Sequence, residues 1–274
     1  MKINDEALSY VLGHSDEELV RLERQAEIFR DATEAILAKA GIVPGMRVLD
    51  IGCGVGDVSL IAARRVGPEG RVTGIDRSEE ALVTARQRTE AAGMVWLDFE
   101  NRDIDAIGGG GERYDAVIGR FILMHLPGAE EQLRKLRSVL APGGVLAFIE
   151  MDISSSSAVP PMPLFTRCLD WITTLYRMAG MEPDMGSKLY GTFRAAGLTP
   201  ELSGSCRIEG GPDATAYEYI AETIRTMSPM LQRFGLATAE ELGVETLAAR
   251  LRAAAVENDT CFVFPRFIGA WARN

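Results

Sequence analysis

The chain has 274 residues, of which 47% are hydrophobic and 25% charged, and this composition predicts a folded protein with one large core. Its net charge of −10 argues against a nucleic-acid partner, whose phosphates need clustered Lys and Arg, and favours a neutral or cationic small molecule. Apolar runs fall short of the roughly 20 residues of a membrane span, and the N-terminal segment MKINDEALSY lacks the apolar stretch of a signal peptide. We therefore expect a cytoplasmic protein with no membrane partner.

The four cysteines and two histidines are scattered along the sequence. No C-x-x-C pair occurs, and no histidine lies near a cysteine at the spacing of zinc ligands. We expect reduced, mostly buried thiols and no metal site. The cysteines are Cys53, Cys168, Cys206 and Cys261.

The first forty residues have the pattern of an amphipathic helix. In SDEELVRLERQAEIFRDATEAILAKAG, apolar side chains recur at steps of three and four residues from Leu19 to Ile36. Gly41 and Pro44 end the pattern. We interpret residues 1–40 as an N-terminal helical cap and residues 41–274 as the main domain.

Short apolar runs rich in β-forming residues follow, and they alternate with helix-like segments up to Asp152. This alternation predicts an α/β fold in which helices cover both faces of a parallel sheet. The expected strands are MRVLDIG, RVTGID, MVWLDFE, YDAVIGRF and GVLAFIEMD, and the expected helices are 57–66, 78–92 and 129–140.

The region after Asp152 starts with SSSSAVPPMP, whose composition predicts a loop. Helices are expected within residues 153–199, and a helical insertion over 212–256 is interpreted as a lid over a pocket. Two late strands are expected to form a closing hairpin at the edge of the sheet. The expected helices are 163–180 and 186–196, and the hairpin strands lie near 201–209 and 260–271.

A glycine-rich loop follows the first predicted strand in RVLDIGCGVGDVS. Ligands of open α/β sheets bind beyond the carboxyl ends of the strands. The order D-x-G-x-G-x-G differs from the G-x-G-x-x-G of dinucleotide sites, and the segment lacks the G-K-[ST] of a P-loop. Asp50 and Asp57 bracket the glycines and would repel a pyrophosphate but not a cationic ligand.

Two further carboxylates follow the next two predicted strands. Asp76 lies about twenty residues after the loop, where a carboxylate accepts hydrogen bonds from two ribose hydroxyls. Asp103 is placed to accept a hydrogen bond from the amino group of an adenine, with Ile104 against the ring. Asp105 of the same RDID stretch is the alternative. An adenosine with a cationic tail and no diphosphate describes S-adenosylmethionine.

The span from about residue 44 to 152 resembles the class I, Rossmann-like, S-adenosylmethionine-dependent methyltransferases. It carries VLDIGCGVGDVS, GIDRSEEAL, YDAVIGRFILMHL and LAPGGVLAFIEMD in the order of that family's motifs. The resemblance implies a doubly wound α/β sheet of seven strands, mostly parallel with an antiparallel last strand, and S-adenosylmethionine as the cofactor, released as S-adenosylhomocysteine. The implied cofactor-binding residues are Gly52, Gly54 and Gly56 for close backbone approach, Asp50 near the methionine amino group, Asp76 with Arg77 at the ribose, Asp103 and Ile104 at the adenine, and Arg120 at the methionine end.

The flanks resemble bacterial methyltransferases of secondary metabolism that act on small molecules. This similarity implies that Tyr10 and Gln25 close over the methionine portion. We expect a small-molecule acceptor with an N, O or C nucleophile and a protein that is a monomer or a homodimer. An RNA or protein acceptor, a non-catalytic S-adenosylmethionine-binding module and a nicotinamide oxidoreductase are the alternatives.

Three side chains near the ends of the fourth and fifth predicted strands are candidates for a general base. An unperturbed imidazole titrates near neutrality, so His125 is a candidate base, although a packing role in which it orients the loop is favoured. Glu150 and Asp152 end the fifth strand, where they would accept a proton, bind a cationic amine or remain solvated loop carboxylates. A base is required only if the acceptor must lose a proton.

Overall fold

The structure is a computed structural model that describes residues 16–108 and 113–274. Its contacts divide the chain into two compact units. The sheet unit contains Ile28–Met151, Asp184–Ser205 and Phe267–Asn274. The helical unit contains Asp152–Pro183, Cys206–Arg266 and, of the described residues before Ile28, 16–27. The boundary near residue 40 stays a prediction.

The sheet unit is built on seven strands in the order β3-β2-β1-β4-β5-β10-β7. Neighbouring strands from β3 to β5 pair in parallel, and the last strand, β10, runs antiparallel to β7. This order and these directions confirm the predicted fold. The strands are β1 (Arg47–Ile51), β2 (Arg71–Asp76), β3 (Leu97–Asn101), β4 (Tyr114–Arg120), β5 (Leu140–Asp152), β7 (Glu201–Ser205) and β10 (Arg266–Arg273).

Helices follow the parallel strands, and local signals set their ends. Helix α3 begins where the Ser78 hydroxyl accepts the Ala81 N–H at 3.2 Å and ends at Gly93, whose φ of 66° suits a residue without Cβ. Helix α2 begins directly after Gly56. The helices are α1 (Asp16–Lys39), which contributes to both units, and α2 (Asp57–Val66), α3 (Glu79–Ala92), α4 (Ala129–Arg137) and α6 (Met185–Ala195).

The core of the sheet unit centres on β1, β4 and β5, most of whose apolar side chains are buried. An aromatic cluster of Phe29, Phe121 and Phe267 adjoins it. The rings of Phe29 and Phe267 stack with centroids 5.0 Å apart, and Phe121 meets each of them edge-on at 5.7 Å. Helix α1, the end of β4 and β10 therefore share one packed contact.

The helical unit contains four helices and a small antiparallel sheet in the order β6-β9-β8. Its core includes Tyr217, whose ring meets Phe262 edge-on at 5.5 Å and whose hydroxyl donates to the Gly211 carbonyl at 2.8 Å. The elements are α5 (Pro163–Met178), α7 (Ala216–Arg233), α8 (Ala239–Leu242), α9 (Leu247–Glu257), β6 (Ser157–Val159), β8 (Ile208–Gly210) and β9 (Cys261–Val263).

Two local predictions are wrong in detail. The predicted hairpin exists only where Glu201–Ser205 pairs with β10, because β8 and β9 belong to the small sheet. Pro265, which has no N–H for a sheet ladder, lies between β9 and β10, and this accounts for the break. The serine-rich segment is not all loop, since β6 pairs with β9. The insertion over 212–256 is helical as expected, and its role as a lid stays a prediction.

The aromatic cluster predicts a large effect of Phe267→Ala on stability. Phe267 is fully buried, so its removal leaves a cavity and should lower the free energy of unfolding by about 3–5 kcal/mol. Chemical denaturation measures this loss. Val95→Ala, at a side chain that is 89% exposed, is the control and should change stability by less than about 0.5 kcal/mol. Equal effects of the two substitutions would contradict the packing described here.

Candidate active site

The candidate site lies at the carboxyl ends of the parallel strands. Strand β1 pairs with β2 on one side and with β4 on the other, so the strand order reverses at β1. Such a switch point opens a crevice in which α/β proteins bind ligands. The glycine-rich loop that follows β1 is therefore at the position where a ligand is expected.

The glycine loop, residues 52–56, is a tight turn built on left-handed backbone. Gly52, Gly54 and Gly56 have φ of 64°, 52° and 83°, values that residues with a Cβ rarely adopt. The turn is closed by hydrogen bonds from the Cys53 N–H to the Ile75 carbonyl at 3.0 Å and from the Gly56 N–H to the Cys53 carbonyl at 2.9 Å.

The three glycines differ in what surrounds them. A Cβ at Gly52 would lie 2.6 Å from Ile122 Cδ1, and one at Gly56 would lie 2.9 Å from Phe99 Cζ. A Cβ at Gly54 would have no heavy atom of residues 16–108 or 113–274 within 4 Å. Internal packing therefore explains two of the glycines, and Gly54 faces the open space that a ligand would need.

Asp76 is joined directly to the glycine loop. Its Oδ2 accepts the Gly54 N–H at 2.9 Å, and its Oδ1 accepts the Ser78 N–H at 2.9 Å. These bonds fix the carboxylate plane, and each oxygen keeps lone-pair capacity for a further donor such as a hydroxyl. Arg77 beside it is exposed, and its carbonyl accepts Asn101 Nδ2 at 3.0 Å.

Asp103 lies at the same edge, because the Arg102 N–H donates to the Asp76 carbonyl at 3.0 Å. The Asp103 side chain is exposed and accepts the Asp105 N–H at 2.8 Å, at the head of the short 3-10 turn that contains the half-buried Ile104. Asp105 instead accepts Gln132 Nε2 at 3.0 Å on α4. Because the Asp105 carboxylate is occupied by a side chain of α4, Asp103 is the better candidate for a ligand-binding carboxylate.

Asp50 is 1% exposed and accepts the Ser59 hydroxyl at 2.6 Å. Burial raises its pKa to about 7, although Ser59 and the charge of Arg120 act in the opposite direction. A cationic group nearby would stabilise the ionised form of this buried carboxyl.

Asp57 does not present the free charge that the sequence argument gave it. Its Oδ1 pairs with Arg88 Nη2 at 2.6 Å, and its Oδ2 lies 3.8 Å from Arg120 Nη2. Arg88 also donates to the Val55 carbonyl at 2.8 Å, so it ties the glycine loop to α3. Arg120 donates to the Thr33 hydroxyl at 3.1 Å and is largely buried, which makes it an internal link to α1.

Glu150 is a buried residue of β5 and not a solvated loop carboxylate. Its side chain is 0% exposed, and Oε1 accepts the N–H groups of Ile122 at 3.0 Å and Leu123 at 2.7 Å. Oε2 is buried without a hydrogen-bond partner among the described residues. Burial raises the pKa of Glu150 to about 8, although the main-chain N–H groups of Leu123, Ile122 and Met124 act in the opposite direction. His125 is half-buried in the 3-10 turn after β4.

The remaining candidates belong to the helical unit or lie outside the described residues. Asp152 is 1% exposed and pairs with Arg266 Nη2 at 3.0 Å, so it is not a solvated carboxylate either. Gln25 Oε1 accepts Arg21 Nη1 at 2.7 Å. Tyr10 lies outside the described residues.

The described part of the chain shows neither a metal-binding cluster nor a membrane-spanning helix. No group of three or more His, Cys, Asp or Glu side chains there could hold a metal ion. No helix within the same residues combines the length and the apolar character that crossing a bilayer requires.

Comparison with known proteins decides the family. A family model described as a methyltransferase domain matches residues 42–196, more than half of the chain. The chain belongs to this family. It is a class I S-adenosylmethionine-dependent methyltransferase, and the matched residues include the glycine loop, Asp76, Asp103, Arg120 and Glu150.

The enzyme is similar to two curated methyltransferases of quinone synthesis. It is 28% identical over 206 residues to the ubiquinone/menaquinone biosynthesis C-methyltransferase UbiE of Bordetella avium, a match that covers 73% of this chain and 67% of the relative. It is 35% identical over 106 residues to a demethylmenaquinone methyltransferase of Listeria welshimeri, covering 39% of this chain and 45% of that one. The chain thus spans less than half of the second relative.

A solved structure with a similar fold is that of a putative methyltransferase from Bacillus halodurans. The TM-score is 0.58 at 18% identity, and the match covers 88% of this chain and 97% of the other. This likeness supports the fold alone.

The glycine loop predicts different consequences for two Ala substitutions. Gly54→Ala meets no side chain of the described part of the chain, so it should lower stability by only about 1 kcal/mol for the left-handed backbone. It should also weaken binding of S-adenosylhomocysteine. Gly52→Ala should destabilise the protein further, because its Cβ collides with Ile122. Thermal unfolding and calorimetric titration of both variants measure the two effects. A larger loss of stability in Gly54→Ala would contradict the geometry.

The raised pKa of Asp50 predicts a pH-dependent stability. In the unfolded chain this carboxyl ionises near pH 3.9, whereas the folded value is about 7. Between these two pH values, Asp50 therefore keeps a proton in the folded protein that it has lost in the unfolded chain. The free energy of unfolding should fall as pH rises, by up to about 1.4 kcal/mol per pH unit from this group.

Denaturant unfolding at pH 5, 6, 7 and 8 measures this slope in the cofactor-free protein. Asp50→Asn, which cannot titrate, should flatten it, although the contribution of Glu150 remains. Asp213→Asn, at an exposed aspartate, should leave the slope as it is. An unchanged slope in Asp50→Asn would show that Asp50 ionises normally in the folded state.

Proposed function

We propose that the enzyme transfers the methyl group of S-adenosylmethionine to an N, O or C nucleophile of a small organic molecule by direct displacement. The observation that carries the cofactor assignment is the bond between the Gly54 N–H and Asp76 Oδ2, next to the open face of Gly54. We propose the cytoplasm as the location and a monomer or homodimer as the active form.

The residues present fit an adenosyl ligand. Asp76 is oriented by two main-chain N–H groups and would accept the ribose hydroxyls. Asp103 is exposed at the next strand end and would accept the adenine amino group, with Ile104 beside the ring. Asp50, buried and paired with the Ser59 hydroxyl, would receive the cationic amino group of the methionine portion.

When bound, S-adenosylmethionine supplies a sulfonium whose methyl carbon is electrophilic. The protein's part in the displacement is to hold the acceptor in line, at about 3–3.5 Å, and to exclude water. His125, Glu150 and Asp152 stay the candidates where the acceptor must lose a proton, although Arg266 pairs with Asp152 and two N–H groups donate to Glu150. An acceptor without such a proton needs no base.

The acceptor class rests on similarity and on charge. Both curated relatives are named as methyltransferases of quinone synthesis, and one is named as a C-methyltransferase. We therefore propose an electron-rich ring carbon, as in a hydroquinone or phenol, as the first acceptor to test. The net charge of −10 disfavours RNA, the runner-up acceptor together with protein.

Calorimetric titration with S-adenosylhomocysteine tests the cofactor site. We expect micromolar binding, no binding of NADH or NADPH, and an affinity loss of about 1.5–3 kcal/mol in Asp76→Ala, because two hydrogen bonds disappear. Asp213→Ala, at an exposed position, is the matched control. Binding of a nicotinamide cofactor, or an unchanged affinity in Asp76→Ala, would overturn this assignment.

Transfer of a labelled methyl group to a panel of acceptors tests the substrate class. Hydroquinones, phenols, enols and amines are incubated with labelled S-adenosylmethionine, alongside bulk RNA and an acid extract of protein. Labelled small molecules support the proposal. Label that enters RNA or protein alone would assign the enzyme to the macromolecular class.

A further inference from the structure

The turn after β4 contains a strained residue. Phe121 has φ of 57°, a left-handed conformation that is unusual for a bulky side chain. Strain of this kind persists only where the surrounding structure enforces it, and it is common beside functional sites. The groups that enforce it here are therefore informative.

Strand β5 supplies those groups. The N–H of Phe121 donates to the Ile149 carbonyl at 2.9 Å, and the next two N–H groups, of Ile122 and Leu123, both donate to Glu150 Oε1. Three consecutive N–H groups are thus directed at adjacent residues of β5. The ring of Phe121 is held at the same time in the aromatic cluster.

The side chain of Ile122 connects this turn to the glycine loop. It occupies the space that a Cβ would fill at Gly52, where Cδ1 would be 2.6 Å away, and at Gly119, where Cγ2 would be 2.8 Å away. The position of Ile122 therefore restricts the position of Gly52, the first residue of the glycine loop. An unbroken chain of contacts runs from the Glu150 carboxyl through Ile122 to Gly52.

We propose that Glu150 is a positioning residue of the cofactor site, whose carboxyl holds the turn Phe121–Leu123 so that Ile122 seats the glycine loop. The proposal rests on the proposed function, since the loop is taken to bind S-adenosylmethionine. In place of a general base, it makes the Glu150 side chain an acceptor for main-chain N–H groups. The complete burial of its side chain and the use of Oε1 by two N–H groups agree with this role.

Charge is not required for that role. Burial raises the pKa of Glu150 to about 8, which favours the neutral form of this carboxyl. A neutral carboxyl still accepts N–H donors through its carbonyl oxygen, and so does the side chain of Gln. A base, by contrast, must lose its proton, and Gln cannot replace it.

The test compares Glu150→Gln with Glu150→Ala. Gln should keep the affinity for S-adenosylhomocysteine within about threefold, whereas Ala should weaken it roughly tenfold or more because two buried N–H groups lose their acceptor. In turnover, Ala should raise KM for S-adenosylmethionine more than it lowers kcat, and Gln should restore both. Glu69→Gln and Glu69→Ala, on an exposed turn before β2, are the controls. A collapse of kcat in both Glu150 variants at unchanged affinity would overturn the proposal.

Amide hydrogen exchange of the cofactor-free protein separates this proposal from the proposed function. The N–H groups of Ile122 and Leu123 and those of the glycine loop should lose protection in Glu150→Ala and keep it in Glu150→Gln. Unchanged protection in Glu150→Ala would overturn the positioning role. Failure of the wild-type protein to bind S-adenosylhomocysteine, with the exchange pattern as expected, would count against the proposed function instead.

A second pair of variants covers the case in which Glu150→Ala does not fold. Phe121→Gly and Phe121→Ala both remove the ring, but Gly adopts positive φ without strain. If the turn positions the loop, Phe121→Gly should bind S-adenosylhomocysteine more tightly than Phe121→Ala by roughly threefold or more. Equal affinities of the two variants would contradict the proposal.

Discussion

The hydrogen bond from the Gly54 N–H to Asp76 Oδ2 organises the candidate site. It joins the loop after β1 to the last residue of β2, and the Asp76 carbonyl in turn accepts the Arg102 N–H beyond β3. Parallel pairing brings these strand ends to one edge, but only such bonds fix the loops relative to each other. A ligand that contacts Asp76 therefore also lies against the open face of Gly54.

The three aspartates near the glycine loop, Asp50, Asp57 and Asp76, differ in their roles, although the sequence pattern alone does not distinguish them. Asp57 is neutralised by Arg88 and approached by Arg120, so it ties the loop to α3 and to α1. Asp50 is buried with a raised pKa, and Asp76 is presented at the surface of the crevice. The site therefore combines one carboxyl paired with arginine, one buried carboxyl with a raised pKa and one carboxyl available to a ligand, which suits a ligand with both hydroxyls and a cationic group.

The seven-stranded sheet with its antiparallel last strand was expected from the family resemblance. The parallel strands and the glycine loop were predictable from local signals: a strand ending at Ile51, glycines two residues apart and an Asp closing β2. The partners that give each side chain its role were not. Arg88 is 31 residues from Asp57, and Glu150 is 27 residues from Leu123, so no spacing rule links them. The small sheet was missed because three-residue strands such as Ser157–Val159 are too short to show alternation.

The aromatic cluster has a consequence for how the chain folds during synthesis. Phe29 and Phe267 lie near opposite ends of the described chain, yet their rings stack in one contact with Phe121. A nascent chain that has completed β1 to β5 still lacks β10 and exposes the apolar surface that Phe267 covers. The sheet unit therefore has high contact order, and its final step awaits the C-terminal strand. Until β10 pairs, such an intermediate exposes apolar surface that favours aggregation.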